Sequence, residues 1–307
     1  MSTTAENADM SEPALRPEAL SPSAAAAVPE TRAASPDRPS GFAAAWMLAR
    51  REWVRFFRQK NRVVSAVIQP LLFWVLFGTG LRGSFEGAGE QGFLEYFLPG
   101  TVALIVLFTA IFATISVIED RREGFMQAVL VAPVGRWPIL LGKILGGAAI
   151  AWVQAIVFLA LAYAFGTIEP AWTFLPLLGL LAILALSMCA LGMIVAWPMD
   201  STQGFHAVMM LGLMPMWLLS GAFFPIPALG PEATIGQVAL SWVMRLNPLS
   251  YTLAEMRRLL YPAVDFASRG WAPTPTLAWA VSVGFLVVTF LLAAYLMRGS
   301  RKADLVV

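Results

Sequence analysis

The sequence predicts an all-α integral membrane protein with six transmembrane helices. Of its 307 residues, 58% are hydrophobic and only 13% are charged, and the mean hydropathy is +0.70, far from the balance of a water-soluble domain. Six apolar segments are long enough to cross a bilayer, and an open sheet edge would leave backbone groups unpaired in hydrocarbon. Basic residues also concentrate in alternate connecting segments, as membrane topology requires.

The chain begins with a tail that resembles no membrane segment. Residues 1–40 are rich in Ala, Pro, Ser and Glu and contain no continuous apolar stretch that could act as a signal sequence. We therefore predict a disordered cytoplasmic tail over 1–40. A short cytoplasmic C-terminal tail is expected at 301–307, after a membrane domain that covers 41–300.

Residues 41–62 combine aromatic and basic side chains. On a helix, Trp46, Trp53 and Phe57 lie near one face, and most of the arginines lie around the other. This pattern predicts an N-terminal helix in the cytoplasmic membrane interface. A nucleic-acid-binding patch has a similar composition, but this segment directly precedes a membrane span, so no nucleic-acid partner is expected.

The six predicted spans fix the topology of the domain. They cover about 63–81, 97–118, 139–165, 172–197, 205–224 and 277–297. Arg and Lys precede the first span, lie between the second and third, and follow the last, which predicts that both termini are cytoplasmic. Four arginines in the outer segment before the sixth span weaken this pattern, but long outer segments translocate with little regard to charge.

Two connecting segments are more than simple links. The inner segment from Glu119 to Pro133 carries its charges first and its apolar residues later, which predicts a short amphipathic helix at the inner surface. It could be a solvated connector or a docking element for a soluble partner. The outer segment 225–265 contains apolar pieces too short to span and several prolines, which predicts a re-entrant hairpin of two short helices.

Composition excludes several kinds of chemistry. The chain has one histidine, His206, and one cysteine, Cys189, so a zinc site made from several His and Cys ligands and an intrachain disulfide are both excluded. No Walker A loop is present, and no cluster suited to an enzyme within the membrane is found. We expect no catalytic residue, metal or cofactor on this chain, with any ATP hydrolysis occurring in another subunit.

Motifs in the two unusual segments resemble those of a known family. The outer motif runs from Leu219 to Pro225 and continues through Leu246-Asn247-Pro248-Leu249-Ser250-Tyr251 to Arg257; the inner motif contains Arg122-Glu123-Gly124, Leu130, Pro133 and Gly142-Lys143. Over residues 42–300 the chain resembles the membrane subunits of type 2 ABC exporters, which export drugs, lipids or polysaccharides. Two features depart from the pattern: Phe125 replaces a small hydroxyl residue, and the stretch from Pro225 to Asn247 is longer than usual.

The resemblance implies partners and residue roles. A cytoplasmic ABC ATPase with its ATP and magnesium would bind the permease, which would pair with a second copy of itself or a similar permease in the bacterial inner membrane. The inner amphipathic helix would be the coupling helix, with the ATPase-contacting residues Glu119, Arg121, Arg122, Glu123, Gly124, Phe125, Met126 and Pro133. The residues of the outer hairpin motif are Gly221, Phe224, Pro225, Asn247, Pro248, Tyr251 and Arg257.

The predicted translocation path is apolar. The spans carry almost no ionisable side chains, and Lys143, near the inner end of the third span, is expected to reach the membrane interface. Candidate path residues, which are also suited to lipid or helix contact, are Phe73, Trp74, Phe77, Phe108, Met214 and Trp217. The few polar residues available are Gln69, Thr109, Ser116, Gln154, Ser187 and Ser220.

An apolar path favours a hydrophobic or amphipathic cargo such as a drug or lipid. Polysaccharide or glycolipid export remains an alternative within the family, because aromatic residues also stack on sugars. An ion-gradient-driven carrier is a weaker alternative, since such proteins place charged residues near mid-membrane or contain internal repeats.

Overall fold

A computed structural model describes residues 40–80, 93–131, 135–168, 173–231, 233–264 and 270–299. These residues form helices and connecting turns, without a strand among them. The helices are α1 (Gly41–Arg58), α2 (Lys60–Gly80), α3 (Phe93–Ala113), α4 (Ile115–Arg122), α5 (Phe125–Val131), α6 (Arg136–Ala164), α7 (Phe174–Ala196), α8 (Thr202–Trp217), α9 (Ile235–Leu246), α10 (Pro248–Leu260) and α11 (Pro275–Gly299). The predicted all-α fold class is confirmed.

Five helical stretches in the described ranges are long and apolar enough to cross a membrane. They are Glu95–Arg122, Arg136–Ala164, Phe174–Ala196, Thr202–Ala222 and Pro275–Arg298, and they correspond to the second to sixth predicted spans. The first predicted span lies in α2, whose apolar part, Ile68–Gly80, is shorter. The presence of six membrane spans therefore stays a prediction. Residues 1–39 and 300–307 lie outside the described residues, and with them all of the predicted N-terminal tail (1–40) except Ser40 and the whole predicted C-terminal tail (301–307); Pro133 lies outside them as well.

Helices α3, α6 and α7 form the centre of the core, and α11 packs along α7. The three central helices approach closely at Gly147, where an added Cβ would lie 2.9 Å from Ala113 Cβ and 2.8 Å from Cys189 Sγ. Cys189 is fully buried. Small residues at such contacts allow membrane helices to gain dispersion energy where lipid offers no hydrophobic driving force.

Helix α1 packs along the first half of α6, in the same direction. Two glycines, Gly142 and Gly146, one turn apart on α6, make this contact possible. A Cβ at Gly142 would lie 2.7 Å from the Ala45 carbonyl oxygen, and one at Gly146 would lie 3.1 Å from Ala49 Cα and 2.9 Å from Glu52 Cβ. The close approach fixes α1 on the side of α6 that also carries Lys143.

This packing predicts that Gly146→Ala destabilises the protein. The new methyl group would contact the backbone of α1, so α1 must shift, which costs about 1–3 kcal/mol. We expect a lower thermal unfolding midpoint for the purified full chain in detergent.

The matched control is Gly179→Ala on α7, where nothing lies within 4 Å of the added Cβ. This variant should unfold at the wild-type temperature or slightly above, because alanine favours a helix. Equal midpoints for Gly146→Ala and wild type would contradict the proposed tight contact.

Candidate functional site

A buried ionic group joins α1, α4 and α6. The Lys143 ammonium nitrogen lies 2.5 Å from Glu52 Oε1 and 3.2 Å from Ser116 Oγ, and it also donates to Asp120 Oδ2. The side chains of Lys143 and Asp120 are 2% and 0% exposed. The prediction that Lys143 reaches the membrane interface is therefore wrong, because two carboxylates from other helices bind its ammonium group inside the protein.

Two partly exposed arginines of α1 complete this ionic group. Arg51 donates to both oxygens of Asp120, at 2.8 and 2.7 Å; Arg55 contacts Glu119 at 2.6 Å and Asp120 at 3.3 Å. The hydrogen bonds to Asp120 raise the pKa of Arg51. We call Arg51, Glu52, Arg55, Glu119, Asp120 and Lys143 the inner ion cluster. Its three cations and three carboxylates balance, as buried charges require.

The segment predicted as one amphipathic helix is two helices. Helix α4 ends at Arg122, and α5 begins at Phe125, with Gly124 between them at φ +75°. A glycine adopts this left-handed conformation without the steric cost that a side chain would bring. The charged half of the predicted coupling helix therefore continues the span-forming stretch, and only the apolar half forms a separate helix.

Three of the four charged residues predicted to contact an ATPase are engaged within the chain. Glu119 pairs with Arg55. Arg121 donates to the Trp197 carbonyl at 2.6 Å, and Arg122 donates to the Asp200 carbonyl at 2.9 Å, so both hold α4 to the turn between α7 and α8. Glu123 is exposed, and no salt bridge to it occurs within the described part of the chain.

The apolar residues at the start of α5 face the protein. Met126 is only 2% exposed and belongs to the core, so its predicted insertion into a partner is wrong for this conformation. Phe125 is half-buried, with the Arg51 guanidinium carbon 3.8 Å from its ring centroid. This cation–π contact links α5 to the inner ion cluster, so the aromatic residue that departs from the family pattern has a structural partner.

An apolar cavity of about 570 Å³ lies among α1, α2, α3, α6 and α8. Its wall includes four of the six predicted path residues, Phe73, Phe108, Met214 and Trp217. The other two pack elsewhere: Trp74 is buried with its ring 5.6 Å from that of Phe158, and the Phe77 ring lies 4.3 Å from the Phe73 ring. The volume is in the usual range for small-molecule pockets.

Polar groups on the cavity wall are few. Gln69, Thr109, Gln154 and His206 line it. The Thr109 hydroxyl donates to Gln154 Oε1, and the Gln154 side-chain nitrogen is buried with no hydrogen-bond partner among the described residues. A buried amide donor of this kind favours a ligand that offers an acceptor.

The single histidine contributes to the same wall. The His206 ring stacks on Phe112, with centroids 5.0 Å apart. Its Nδ1 lies 2.7 Å from the Thr202 carbonyl oxygen, and because a carbonyl only accepts, Nδ1 must carry a proton. Sequence reasoning assigned His206 no role. Its proximity to Phe112 across two helices could not be read from spacing along the chain.

Three other predicted polar path residues do not line the cavity. Ser187 and Ser220 donate to carbonyls within their own helical segments, those of Ile183 and Trp217, and Ser116 receives a hydrogen bond from Lys143. All three side chains are thus satisfied inside the protein. The cavity is consequently more apolar than the predicted path.

The Gly221 backbone carbonyl, just after α8, is one of the groups that attach the outer hairpin to the end of that helix. A π-helical turn, Leu218–Ala222, follows α8, and Gly221 within it has φ +83°. The Gly221 carbonyl accepts hydrogen bonds from Arg257 and, at 3.1 Å, from the Tyr96 hydroxyl. The Arg257 guanidinium also lies 4.3 Å from the Tyr96 ring centroid. Burial lowers the pKa of Arg257.

Asn247 connects α9 and α10 and joins them to α8. Its side-chain oxygen accepts from the Leu249 amide at 3.0 Å, which caps α10, and its side-chain nitrogen donates to the Met216 carbonyl. Pro248 occupies the first turn of α10, where its missing amide hydrogen costs nothing.

The remaining residues of the outer motif contribute less to this attachment. The Tyr251 ring packs edge-on against Trp271 at 5.4 Å. Phe224 and Pro225 are exposed. The described part of the outer motif is therefore chiefly a structural joint between α8 and α10.

The sequence profile described as "ABC-2 type transporter" matches residues 43–261, which include the inner ion cluster, the cavity and the hairpin. The chain belongs to the ABC-2 type transporter family. It is therefore a multi-pass permease subunit of an ABC transporter, and membership of the family implies an ATP-binding-cassette partner.

Several curated proteins resemble this ABC permease over most of their length. A putative transport permease, ycf38, of Cyanophora paradoxa is 23% identical and covers 70% of this chain and 73% of its own. Nodulation protein J of Rhizobium leguminosarum bv. trifolii is 26% identical and covers 77% of this chain and 87% of its own. The daunorubicin resistance permease DrrB1 of Streptomyces coeruleorubidus is 24% identical and covers 78% of this chain and 81% of its own.

The buried position of Lys143 predicts a large effect for Lys143→Met. This change leaves Glu52 and Asp120 facing each other without the ammonium group, and removal of one buried partner costs about 3–5 kcal/mol. We expect a much lower unfolding midpoint of the full-length permease in detergent, or no folded protein.

Two further variants make this test specific. Adding Glu52→Gln to Lys143→Met removes one of the two carboxylates that lost the ammonium group and should recover part of the lost stability, while Asp120 keeps Arg51 as a partner. The control Lys60→Met alters an exposed lysine and should leave the midpoint unchanged. A Lys143→Met protein as stable as wild type would show that the cluster does not hold the helices together.

Proposed function

We propose that this permease exports a hydrophobic or amphipathic molecule, a drug or a lipid, with energy from a separate cytoplasmic ABC ATPase. The observation that carries the proposal is the apolar cavity of about 570 Å³. Its aromatic and methionine side chains suit an apolar cargo. The buried donor of Gln154 would hydrogen-bond an acceptor on that cargo.

The inner ion cluster supports a role in coupling. It ties α1, α4 and α6 into one unit, and Phe125 joins α5 to the same unit through Arg51. In our proposal the ATPase contacts α5 and the exposed Glu123, and this unit transmits the contact to the spans. Residues engaged within the chain, such as Arg121 and Met126, would position the contact surface rather than touch the partner.

Assembly and location are part of the same proposal. ATP and magnesium would be bound by the ATPase, and the permease would pair with a second copy of itself or a similar subunit in the inner membrane of a bacterium, with both termini cytoplasmic. Apolar side chains of α8 and α11 support this arrangement, since they are exposed in the single chain: Met210, Leu211, Val288, Leu291 and Tyr295. They suit contact with lipid or with that second subunit.

The names of the relatives refer to different processes: one concerns daunorubicin resistance and another nodulation. Polysaccharide or glycolipid export, the alternative that the family resemblance leaves open, is the second candidate. The cavity favours export of a drug or lipid over export of a sugar, because a sugar requires many hydrogen-bonding groups. Among the described residues, the polar side chains on the cavity wall are those of Gln69, Thr109, Gln154 and His206.

The coupling role predicts that Glu123→Arg and Gly124→Pro disrupt the complex with the ATPase. Charge reversal at a contact costs several kcal/mol, and proline cannot adopt the φ of +75° found at Gly124. Co-purification of the tagged full chain with its ATPase should fall about tenfold or more, and ATP turnover of the complex should fall with it.

The control Gln203→Arg introduces a positive charge at an exposed position on the same predicted side of the membrane. It should leave the complex intact. An unchanged yield of ATPase with both coupling variants would overturn the proposed contact, and failure of wild type to bind any ATPase would overturn the exporter proposal.

The cavity predicts that Leu104→Trp blocks transport. Leu104 lines the cavity, and an indole would fill much of the space for a cargo. Cells that express the permease with its ATPase should lose most of their efflux of a lipophilic dye.

Leu175→Trp is the matched control, since Leu175 is 78% exposed on α7 and its enlargement should not affect efflux. Normal dye efflux by a correctly folded Leu104→Trp variant would show that the cargo follows another route. Secretion of an oligosaccharide in place of dye would favour the second candidate.

A further inference from the structure

A basic groove follows the exposed side of α1. It has a volume of about 590 Å³ and is lined by Met47, Arg50, Arg51, Val54, Arg55, Arg58 and Gln59. Most of these residues are three or four positions apart, so they form one stripe along the helix. We call it the arginine groove. It lies outside the apolar cavity, and the proposed function assigns no role to two of its arginines, Arg50 and Arg58.

The groove carries positive charge that the protein does not neutralise. Arg51 and Arg55 belong to the inner ion cluster, whose charges already balance. Arg50 and Arg58 are exposed, and neither forms a salt bridge with any residue in the described ranges. Two guanidinium groups are thus available to an external anion, on residues whose backbones lie about 12 Å apart along the helix axis.

Apolar side chains accompany this charge. Met47 and Val54 lie in the groove itself and are 69% and 48% exposed, and Phe42, Trp46 and Phe57 are exposed elsewhere on the same helix. An exposed helix with aromatic residues on one face and arginines on another is typical of the membrane interface, where acyl chains and headgroups meet. A soluble phosphate would not need the apolar residues.

We propose that the arginine groove binds an anionic phospholipid, with Arg50 and Arg58 contacting the phosphate and headgroup and with Met47 and Val54 contacting the acyl chains. Guanidinium groups suit this ligand because they bind phosphate oxygens through two parallel hydrogen bonds. The bound lipid would lie against the helix that carries Glu52, and so next to the inner ion cluster. This inference does not depend on the cargo or on the ATPase.

The test measures lipid binding to the purified full chain in an uncharged detergent. Phosphatidylglycerol or phosphatidylcholine is titrated in, and bound lipid is counted by native mass spectrometry. Wild type should prefer phosphatidylglycerol. Since each arginine near an anionic lipid contributes about 1 kcal/mol, the double variant Arg50→Gln/Arg58→Gln should bind phosphatidylglycerol about 10- to 30-fold more weakly, with phosphatidylcholine binding unchanged.

Arg298→Gln is the control, because Arg298 is exposed at the end of α11, outside the groove. It should keep the wild-type preference. If the double variant does not purify, each single variant should still weaken phosphatidylglycerol binding about fivefold.

Three outcomes would overturn the proposal. An unchanged lipid preference in the Arg50 and Arg58 variants would show that the groove does not select anionic lipid. Displacement of the lipid by millimolar inorganic phosphate would identify a soluble anion as the ligand. Variants that lose the ATPase complex but keep the lipid preference would identify the groove as a protein contact.

Discussion

The Lys143 ammonium group lies where water does not reach it, and the inner half of the molecule is arranged to compensate. An isolated charge in such a place would cost far more than folding can supply, so α1 and α4 must each bring a carboxylate to α6. Gly142 and Gly146 make this possible, because they let α1 approach until Glu52 can reach Lys143. The packing and the charge pairing therefore depend on each other.

Helices α1 and α6 extend from the inner ion cluster into the wall of the cavity, and so does α3, which directly precedes α4. Phe56 of α1, Ala113 at the end of α3 and Ile150 of α6 line it, and each lies a few residues from a member of the inner ion cluster or from the start of α4. Helix α4 begins after Thr114 and ends before the left-handed turn at Gly124. A displacement of α4 and α1 as one body would therefore alter the inner end of the cavity, while the outer hairpin stays attached to α8 through Gly221.

The sequence predicted the helical class and the approximate positions of the spans because hydrophobic length is a local property of the chain. It also located Phe73, Phe108, Met214 and Trp217 on what is one cavity wall. It misassigned Lys143 because its partners lie on α1 and α4, and no periodicity within α6 reveals a contact to those helices. The sequence also misassigned Met126, because an apolar residue in a short helix gives the same pattern whether it contacts a partner or the core of its own chain.

The break between α4 and α5 at Gly124 could not be predicted from the sequence for a different reason. The sequence suggested one amphipathic helix from Glu119 to Pro133, because its charged residues come first, its apolar residues come later and Pro133 ends the segment. Glycine permits a left-handed turn but does not require one, and the turn forms here since α4 is held by Arg121 to Trp197 while α5 is held by Phe125 to Arg51. Tertiary contacts on both sides decide the local conformation.

The inner ion cluster also constrains how the protein is made. Glu52 and Asp120 are synthesised before Lys143, which follows them by 91 and 23 residues. At about 5–20 residues per second, the carboxylate of Glu52 waits roughly 5 to 18 seconds for its partner. Helices α1 and α4 can enter their final arrangement only once the beginning of α6 has been made, so the inner ion cluster is completed by α6 rather than by the helices that precede it.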